Sequence, residues 1–327
     1  MTYKKHNIAA FFSGVGGIEL GFEQTGYFKT LYANEFDKYA RITYSENHSD
    51  TYLDGRDIHV VDANDIPKDV DVIVGGFPCQ AFSIAGYQKG FSDERGDLFF
   101  EMLRIIEAKK PKAIFIENVK NLVTHDNGNT FRVICEALEQ NGYFIKWQVL
   151  NGKTHGNIPQ NRERIYIVGF DDKAKCESFE FPEEIELKTQ LSDVIDFDEE
   201  QDSRYYYSAD KHSFYDQLDE AIVRHDRIYQ WRRRYVRENK SGVVPTLTAS
   251  MGTGGNNVPL IRTNNGAIRK LTPKECFNVQ GYPVDFKLPE IVSNGQLYKQ
   301  AGNSVVVPVV RRIAEQIAEV LNDDSNF

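Results

Sequence analysis

The fold is decided by the stretch Val70-Asp-Val-Ile-Val-Gly-Gly-Phe-Pro-Cys-Gln-Ala-Phe-Ser83. Residues 70–74 are mostly β-branched and end at a pair of glycines, which predicts a short buried strand followed by a sharp turn. Pro78 stiffens the backbone just before Cys79. Because open α/β sheets bind ligands at the carboxyl ends of their strands, this pattern favours an accessible thiol over an inert buried cysteine.

The composition argues against a membrane span and allows two domains. The chain has 327 residues, of which 41% are hydrophobic and 27% charged, and it lacks an apolar run of about 18 residues. The N-terminus has no apolar signal core, so we expect a cytoplasmic protein. The cysteines form no Cys-x-x-Cys pair, and neither disulfides nor a metal site are expected. The formal net charge of -9 opposes a nucleic-acid partner only when charge is averaged over the whole chain.

A glycine-rich turn follows the first predicted strand. The strand is predicted over Ile8 to Phe12, the turn over Ser13-Gly-Val-Gly-Gly17, and a helix over Ile18 to Thr25. Such a turn allows a ligand to approach the backbone at the helix N-terminus. Glu19 stands where the dinucleotide-binding fingerprint requires its third glycine. The turn by itself therefore leaves a cofactor site and a plain tight turn both open.

Acidic residues follow the next two predicted strands. Leu31 to Asn34 ends in Glu35, whose carboxylate is placed to accept hydrogen bonds from ribose hydroxyls, although a solvated carboxylate is the alternative. Ile58 to Val61 is predicted as the third strand and ends in Asp62. Together with the glycine turn, these strand ends predict a nucleoside-type ligand lying across a parallel sheet.

A carboxyl group is predicted at the same edge as Cys79. The long polar stretch up to Asp97 predicts a functional loop such as a lid, before a helix from Leu98 to Ala108. Ala113 to Ile116 is the next predicted strand, and Glu117 follows it. A thiol and a carboxylic acid facing one pocket suggest attack on a ring whose nitrogen is protonated in step. A purely structural anchor is the alternative role for Glu117.

Two arginines lead into a later strand. Phe131 to Glu139 is predicted as a helix, and Ile145 to Leu150 and Arg164 to Phe170 are predicted as strands. Arg162 and Arg164 alternate, so a strand conformation would point both guanidinium groups to one side. They suit an anion or a base carbonyl, and solvation at a strand end is the alternative.

The second half of the chain has an acidic stretch followed by a basic one. Glu183 to Asp202 is predicted to be a linker or a solvated surface. Arg224 to Lys240 combines arginines with aromatic residues, which predicts either a nucleic-acid contact or a solvated helix face. The polar loop from Pro245 to Asn257 supplies small hydrogen-bonding groups of the kind that contact base edges.

The end of the chain is predicted to return to the sheet. Arg269 to Val279 has helical periodicity, and Val305 to Leu321 has an apolar helical face with Asn303 or Ser304 as its N-cap. Because this last helix belongs on the sheet, the basic segment is an insertion in the first domain.

Taken in order, these residues resemble the DNA (cytosine-5)-methyltransferases of bacterial restriction–modification systems. The matching segments are Phe12-Ser-Gly-Val-Gly-Gly17, Asn34-Glu35, Asp62, Gly76-Phe-Pro-Cys-Gln80, Glu117-Asn-Val119, Gln160-Asn-Arg-Glu-Arg164, Arg269-Lys-Leu-Thr-Pro-Lys-Glu275 and Gln300-Ala-Gly-Asn-Ser304. The departures are Ala10, where many members carry an acid, and Phe36, where a tryptophan often stands.

The resemblance implies an α/β fold with three segments. Residues 1–186 are expected to form a Rossmann-like, S-adenosylmethionine-dependent catalytic and cofactor-binding domain. Residues 187–268 are expected to form an inserted, smaller target-recognition domain. Residues 269–327 are expected to form a hinge and a C-terminal helix that returns to the catalytic domain.

The resemblance also implies a mechanism and a set of partners. S-adenosylmethionine is the implied cofactor, with S-adenosylhomocysteine as product, and a cytosine flipped out of double-stranded DNA is the implied substrate. Cys79 is expected to add to carbon 6 while Glu117 hydrogen-bonds or protonates nitrogen 3. Arg164, together with Arg162, is expected to hold the carbonyl and a nearby phosphate. We expect a bacterial or phage-encoded monomer that pairs functionally with a restriction endonuclease without a stable complex.

Further site residues are implied. Those expected to contact the cofactor are Phe12, Gly14, Gly16, Gly17, Glu35, Phe36, Asp62, Ala63, Pro78, Leu98, Asn303, Ser304 and Val305. Those expected to contact DNA are Gln80, Ser83, Arg95, Arg232, Arg234, Arg237, Thr246, Thr248, Ser250, Gly254 and Gly255. One alternative is an RNA cytosine-5 methyltransferase, against which the large basic insertion argues. The other is a catalytically silent DNA-binding regulator, against which the intact Cys79, Glu117 and Arg164 argue.

Overall fold

The computed structural model describes residues 5–78, 97–232, 234–252 and 258–323. Short apolar segments form the central strands of its larger sheet. In chain order the strands are β1 (His6–Phe11), β2 (Phe28–Asn34), β3 (Tyr52–Asp54), β4 (Val72–Gly75), β5 (Ala113–Val119), β6 (Phe144–Asn151), β7 (Gln160–Asn161), β8 (Glu163–Phe170), β9 (Tyr206–Tyr207), β10 (Ile228–Trp231), β11 (Val236–Asn239), β12 (Val244–Pro245), β13 (Leu260–Arg262) and β14 (Ile268–Lys270).

The α-helices connect these strands or follow them. In chain order those of the described ranges are α1 (Gly17–Glu23), α2 (Lys38–Asn47), α3 (Asp97–Lys109), α4 (Asn129–Gln140), α5 (Gly152–His155), α6 (Lys173–Ser178), α7 (Tyr215–Ala221), α8 (Pro273–Asn278), α9 (Asn294–Asn303) and α10 (Val307–Asn322).

The chain divides into two units. The first comprises Met1–Leu150, Glu163–Glu183 and Val309–Phe327, and the second comprises Asn151–Arg162 and Glu184–Pro308. The second unit therefore reaches beyond the predicted recognition segment 187–268. It also takes in the residues before β8 and the segment that was predicted to be a hinge.

A seven-stranded sheet organises the first unit. Its order is β3-β2-β1-β4-β5-β8-β6, with parallel pairing from β3 to β5 and β8 antiparallel to β5. Both faces are covered, as a parallel sheet requires. On one face the ring centroids of Phe115 and Phe22 of α1 are 5.2 Å apart. On the other face Ile114 and Ile116 pack with Met102 of α3 and Ile134 of α4.

The second unit contains a smaller antiparallel sheet. Its order is β11-β10-β13-β14-β9. Leu218 of α7 packs with Tyr229, Trp231 and Leu260 of this sheet, and Phe214 stacks on Trp231 with ring centroids 5.0 Å apart. β7 and β12 form a separate parallel pair.

The third strand, β3, precedes the segment predicted for it, so that prediction is wrong. Residues 58–61 instead contain a 3-10 helix, Ile58–Val60, capped by the Asp57 carboxylate. The two buried residues of the segment are three positions apart, which matches the 3-10 repeat rather than strand alternation. Asp62 consequently caps a second 3-10 helix instead of ending a strand.

The basic segment from Arg224 to Lys240 contains the paired strands β10 and β11, and its described residues do not form the solvated helix that was its alternative structure. β10 and β11 pair in antiparallel register, with Tyr229 opposite Glu238. Tyr229 and Trp231 are buried and form core, whereas Tyr235 and several of the arginines lie at the surface.

The C-terminal boundaries also differ from those predicted. Arg269 lies in β14, and α8 begins at Pro273 after a capping box between Thr272 and Glu275. Ser304 is the C-cap of α9 and has extended backbone angles, so it does not cap the last helix. A separate helix, α9, ends where the N-cap was predicted.

Within the described residues, no helix has both the length and the apolar character needed to cross a membrane.

Candidate active site

The sheet order brings the glycine turn and residues 76–78 to neighbouring strand ends. The chain leaves β1 toward β2 and β3 on one side and continues through β4 and β5 on the other, so the strand order reverses between β1 and β4. Open α/β sheets bind ligands at the carboxyl ends of strands at such a point. The turn after β1 and the segment after β4 both lie there.

Positive backbone angles and close packing shape the glycine turn. Gly14 has φ +56° and Gly16 has φ +83°, a region that favours glycine. A Cβ on Gly16 would lie 2.1 Å from Nε2 of His48, whereas a Cβ on Gly14 would meet no described atom within 4 Å. Packing therefore fixes one side of the turn and leaves the Gly14 backbone open to a ligand.

Glu35 follows β2 and is bound to the glycine turn. The Gly14 amide donates to Oε2 and the Asp37 amide donates to Oε1, both at 2.7 Å. Burial raises the pKa of Glu35, while the two amides and the positive charge of Arg41 oppose that rise. A carboxylate has about four lone-pair positions, so Glu35 retains acceptor capacity for hydroxyl groups.

Phe36 lies next to this carboxylate with its ring at the surface. Its side chain is 69% exposed, which offers a ring face on which a planar base can stack. The open Gly14 backbone, the oriented Glu35 carboxylate and the exposed Phe36 ring suit a cofactor that contains an adenosine. The residues present thus fit S-adenosylmethionine.

The other predicted cofactor residues of the first unit differ in burial and in their contacts. Phe12 has φ +55° and, like Leu98, packs partly against the core. The Asp62 carboxylate is exposed and accepts the Asn64 amide at 2.8 Å. The remaining three are Gly17 at the start of α1, half-buried Ala63, and exposed Pro78.

A largely buried ion pair joins β5 and β8. Nε of Arg164 lies 3.0 Å from Oε1 of Glu117, and the two side chains are 12% and 11% exposed. Glu117 is opposite Tyr166 and Arg164 is opposite Val119, so the pair is diagonal on one face of the sheet. This arrangement can present an acid and a cation to one small planar ligand.

The segment that leads to Cys79 passes next to Glu117. A Cβ on Gly76 would lie 3.1 Å from Oε2 of Glu117, and Nδ2 of Asn118 donates to the Phe77 carbonyl at 2.9 Å. Asn118 is absent from the predicted site, although its place directly after Glu117 in the matching motif is a signal that could have identified it. Four of the predicted residues in and after this segment lie outside the described ones: Cys79, Gln80, Ser83 and Arg95.

Arg162 does not share the environment of Arg164. It is 2% exposed. Its Nη1 donates to the Leu247 carbonyl at 2.8 Å, and its Nη2 donates to the carbonyls of Gly302, at 3.0 Å, and Ser304. The last carbonyls of a helix lack intrahelical partners, and Arg162 supplies such partners at the end of α9. This use differs from the predicted contact with cytosine or phosphate.

The predicted cofactor residues of the second unit lie at the end of α9 and directly after it. The Ser304 hydroxyl hydrogen-bonds with the Tyr282 hydroxyl. Val305 is buried and Asn303 is exposed. The backbone at Ser304 is therefore held by Arg162 and its side chain by Tyr282.

The predicted DNA-contacting residues of the second unit differ in exposure. Arg232 is half-buried and its Nη2 donates to Oε1 of Gln230 at 3.1 Å. Oγ1 of Thr246 donates to the Asn161 carbonyl at 2.6 Å. The exposed ones are Arg234, Arg237, Thr248 and Ser250. Gly254 and Gly255 lie outside the described residues.

The sheet order, the glycine turn and the carboxylate after β2 define a Rossmann-like domain of the kind that methyltransferases use. Solved structures support this class at the level of fold. The Entamoeba histolytica methyltransferase EhMeth aligns with a TM-score of 0.75 at 21% identity, over 98% of this chain and 100% of its own. A Spodoptera frugiperda DNMT2 mutant aligns with a TM-score of 0.74 at 20% identity, over 96% and 99%.

Sequence comparison identifies the family. The C-5 cytosine-specific DNA methylase family matches residues 6–319. The Type II methyltransferase M.Bsp6I of Bacillus sp. (strain RFL6) is 62% identical over 311 residues, which are 95% of this chain and 98% of that protein. M.HhaI of Haemophilus parahaemolyticus is 40% identical over 322 residues, or 95% and 94%. The chain belongs to the C-5 cytosine-specific DNA methylases and is a DNA (cytosine-5)-methyltransferase, which confirms the family and fold class predicted from sequence.

Proposed function

We propose that this enzyme transfers a methyl group from S-adenosylmethionine to carbon 5 of one cytosine within a specific double-stranded DNA sequence, through a covalent adduct with Cys79. The main support for this proposal is the Glu117–Arg164 ion pair, which lies beside the segment that leads to Cys79. Its relatives are Type II methyltransferases. We therefore propose that the enzyme protects DNA from a restriction endonuclease. We further propose that it acts as a monomer and forms no stable complex with that endonuclease.

The cofactor is proposed to lie on the Gly14 turn, with Glu35 accepting its ribose hydroxyls and Phe36 stacking on its adenine. Bound S-adenosylmethionine supplies an electrophilic methyl group. The oriented acceptor at Glu35 and the exposed ring at Phe36 support this placement. Asp62 is exposed and remains a candidate contact.

The protein residues are proposed to activate the cytosine. A base stacked in a duplex is out of reach, so the target base is flipped out of the helix. The Cys79 thiolate forms a bond to carbon 6, and Glu117 donates a proton or hydrogen bond to nitrogen 3, so that negative charge does not accumulate on the ring. Carbon 5 thereby becomes nucleophilic. After methylation, loss of the carbon-5 proton and expulsion of Cys79 restore the aromatic ring.

Arg164 is proposed to act at this site in two ways. Its guanidinium holds Glu117 in position and can donate to the cytosine carbonyl. The Arg162 guanidinium is committed to three backbone carbonyls. We therefore propose that Arg164 contacts the base, and that Arg162 supports the backbone of the second unit.

A mechanism-based trap tests the nucleophile. Bisulfite sequencing of DNA from cells that express the enzyme identifies the methylated site, and a duplex with 5-fluorocytosine at that site is then supplied. Fluorine cannot leave as a cation, so the wild type should remain covalently attached, and Cys79→Ser should not. Glu117→Gln can hydrogen-bond but cannot donate a proton as an acid, so its adduct yield separates the two roles of Glu117. An unmodified tRNA offered in parallel should stay unmethylated.

The nucleophile assignment fails under two results. One is the absence of an adduct at a verified site. The other is a Cys79→Ser variant that retains more than about one part in a hundred of wild-type turnover, because serine without a base is a poor nucleophile.

A further inference from the structure

Arg41 of α2 contacts the backbone that carries Glu35 and Phe36. Its Nη1 lies 3.1 Å from the Glu35 carbonyl oxygen and 2.8 Å from that of Phe36. The same Nη1 lies 3.1 Å from the carbonyl oxygen of Gly55, just after β3. One guanidinium therefore joins the segment after β2 to the segment after β3, and its hydrogen bonds are charge-assisted.

The guanidinium occupies a closely fitted place. A Cβ on Gly55 would lie 2.8 Å from Cζ and 2.9 Å from both Nε and Nη1 of Arg41. A second bond between the same segments runs from the Glu35 amide to the Asp54 carbonyl at 3.0 Å. The chain has no room for a side chain at Gly55 while Arg41 stays where it is.

The location of this positive charge is itself unusual. α2 begins at Lys38, with the Asp37 carboxylate as N-cap, so Arg41 lies at the end of the first helical turn. A cation near a helix N-terminus opposes the helix macrodipole. Residues that break a local rule tend to occur at functional sites.

We propose that Arg41 is a positioning residue for the cofactor: it fixes the peptide groups of Glu35 and Phe36, and so sets the direction of the carboxylate and of the exposed ring. This inference rests on the proposed cofactor role of those two residues. The contacts of Arg41 on which this assignment rests are all with backbone carbonyl oxygens. It acts through Glu35, whose carboxylate its charge also favours, and through Phe36.

Four variants of the full chain test the assignment. Arg41→Gln removes the charge and most donors. Arg41→Lys keeps the charge with a single donor group. Gly55→Ala leaves Arg41 chemically intact but displaces its guanidinium. Arg132→Gln is the matched control, because Arg132 is an exposed arginine of the same unit that pairs with Glu136 at the surface of α4.

The probe is S-adenosylhomocysteine, with its dissociation constant measured by calorimetry. Arg41→Gln should weaken binding about tenfold, a change equivalent to one charge-assisted hydrogen bond. Arg41→Lys should recover part of the loss. Gly55→Ala should weaken binding, but should add little when combined with Arg41→Gln, because both changes remove the same contact. Arg132→Gln should bind as the wild type does.

Steady-state kinetics distinguish a positioning role from a general loss of structure. In Arg41→Gln the KM for S-adenosylmethionine should rise, while the KM for DNA and kcat stay within about twofold of wild type. Wild-type affinity in Arg41→Gln overturns the assignment, as does full additivity of Gly55→Ala with Arg41→Gln. Failure of the wild type to bind S-adenosylhomocysteine would instead count against the proposed cofactor site.

Discussion

Glu35 and Glu117 are both held in place by hydrogen-bond donors, but the donors differ in kind. Glu35 is oriented by two neutral backbone amides, whereas Glu117 is oriented by the guanidinium of Arg164. A neutral donor orients a carboxylate, but it offsets the cost of burying the negative charge less than a full positive charge does. At the level of single residues, burial raises the pKa of Glu35, so its ionisation responds to pH above the range of an ordinary glutamate.

The pH dependence of cofactor affinity follows from the burial of Glu35. Because burial raises the pKa of Glu35, the free enzyme takes up a proton there at a higher pH than an ordinary glutamate does. Ribose hydroxyls donate best to the ionised form. Affinity for S-adenosylhomocysteine should therefore be complete above the raised pKa and fall as the pH drops through it. Calorimetry from about pH 5 to about pH 8 measures this trend.

Glu35→Gln is the control for that titration. It cannot ionise, so its weaker affinity should vary little over the same range. Histidines also titrate there. An equal pH dependence in Glu35→Gln and wild type would assign the effect to another group.

The sequence predicts the place of a single residue well where the fold class alone decides which strand ends meet. Glu35 lies against the glycine turn as predicted, because consecutive parallel strands end at one edge. Arg162 and Arg164 could not be distinguished, because the carbonyls that bind Arg162 come from Leu247, Gly302 and Ser304, far along the chain. The role of Arg41 could not be predicted from the sequence, because its hydrogen-bond acceptors are main-chain carbonyl groups, which every residue has.

Among the elements, long periodic segments are predicted well and short ones are not. β5, α3 and α4 match their predicted positions to within a few residues. Residues 58–61 were misassigned because a four-residue apolar segment is compatible with either a strand or a 3-10 turn, and the Asp57 cap decides between them. The end of α9 at Asn303 was taken for the N-cap of the last helix, because apolar periodicity alone does not reveal a helix end that side chains from elsewhere cap.

That helix end leads to a stability prediction for Arg162. Replacing Arg162 by Met keeps an unbranched side chain of the length of the arginine's aliphatic part and removes the guanidinium, which leaves the buried carbonyls of Leu247, Gly302 and Ser304 without their charged donor. Urea unfolding should show a loss of about 3 kcal/mol, as expected when buried charge-assisted bonds are broken. Arg234→Met, at an exposed position of the same unit, should change the stability by less than about 0.5 kcal/mol.

The outcome for Arg162 also separates two roles. If Arg162 served mainly to bind the flipped cytosine or a phosphate, Arg162→Met would be about as stable as Arg234→Met and would lose DNA affinity instead. If it supports the backbone, hydrogen exchange should speed up at the end of α9 and in the loop around Leu247.

For the whole molecule, the net charge of -9 was a misleading guide to the DNA partner. DNA binding depends on where cations lie, because the phosphate contacts of a local surface set the affinity. Arg234 and Arg237 lie exposed on and beside β11, a location that the average charge conceals. The family could be predicted because its motifs span nearly the full chain. The unit boundaries could not, because β14 and the residues before β8 join the second unit through pairings between distant segments.

Those pairings determine how a recognition segment can be exchanged. β14 pairs with both β13 and β9, so a chimaera that replaces only residues 187–265 would leave one strand of the second unit's sheet from the host between two strands from the donor. Replacing residues 187–271 keeps the sheet whole. We expect the longer exchange, from a relative with an arginine at the position of Arg269, to yield active enzyme that methylates the donor's sequence. Arg269 has to be preserved because it is fully buried and pairs with Glu275 at 2.7 Å, across the junction.

Bisulfite sequencing of DNA methylated by each chimaera, beside a measured unfolding temperature, provides the test. The 187–271 chimaera should retain the host's affinity for S-adenosylhomocysteine, since Glu35, Phe36 and the glycine turn all lie outside the exchanged segment. The 187–265 chimaera should unfold at a lower temperature, because cross-strand contacts on both sides of β14 would be mismatched. A stable, active 187–271 chimaera that still methylates the host's sequence would show that specificity resides elsewhere, with the residues following Cys79 as the next segment to exchange.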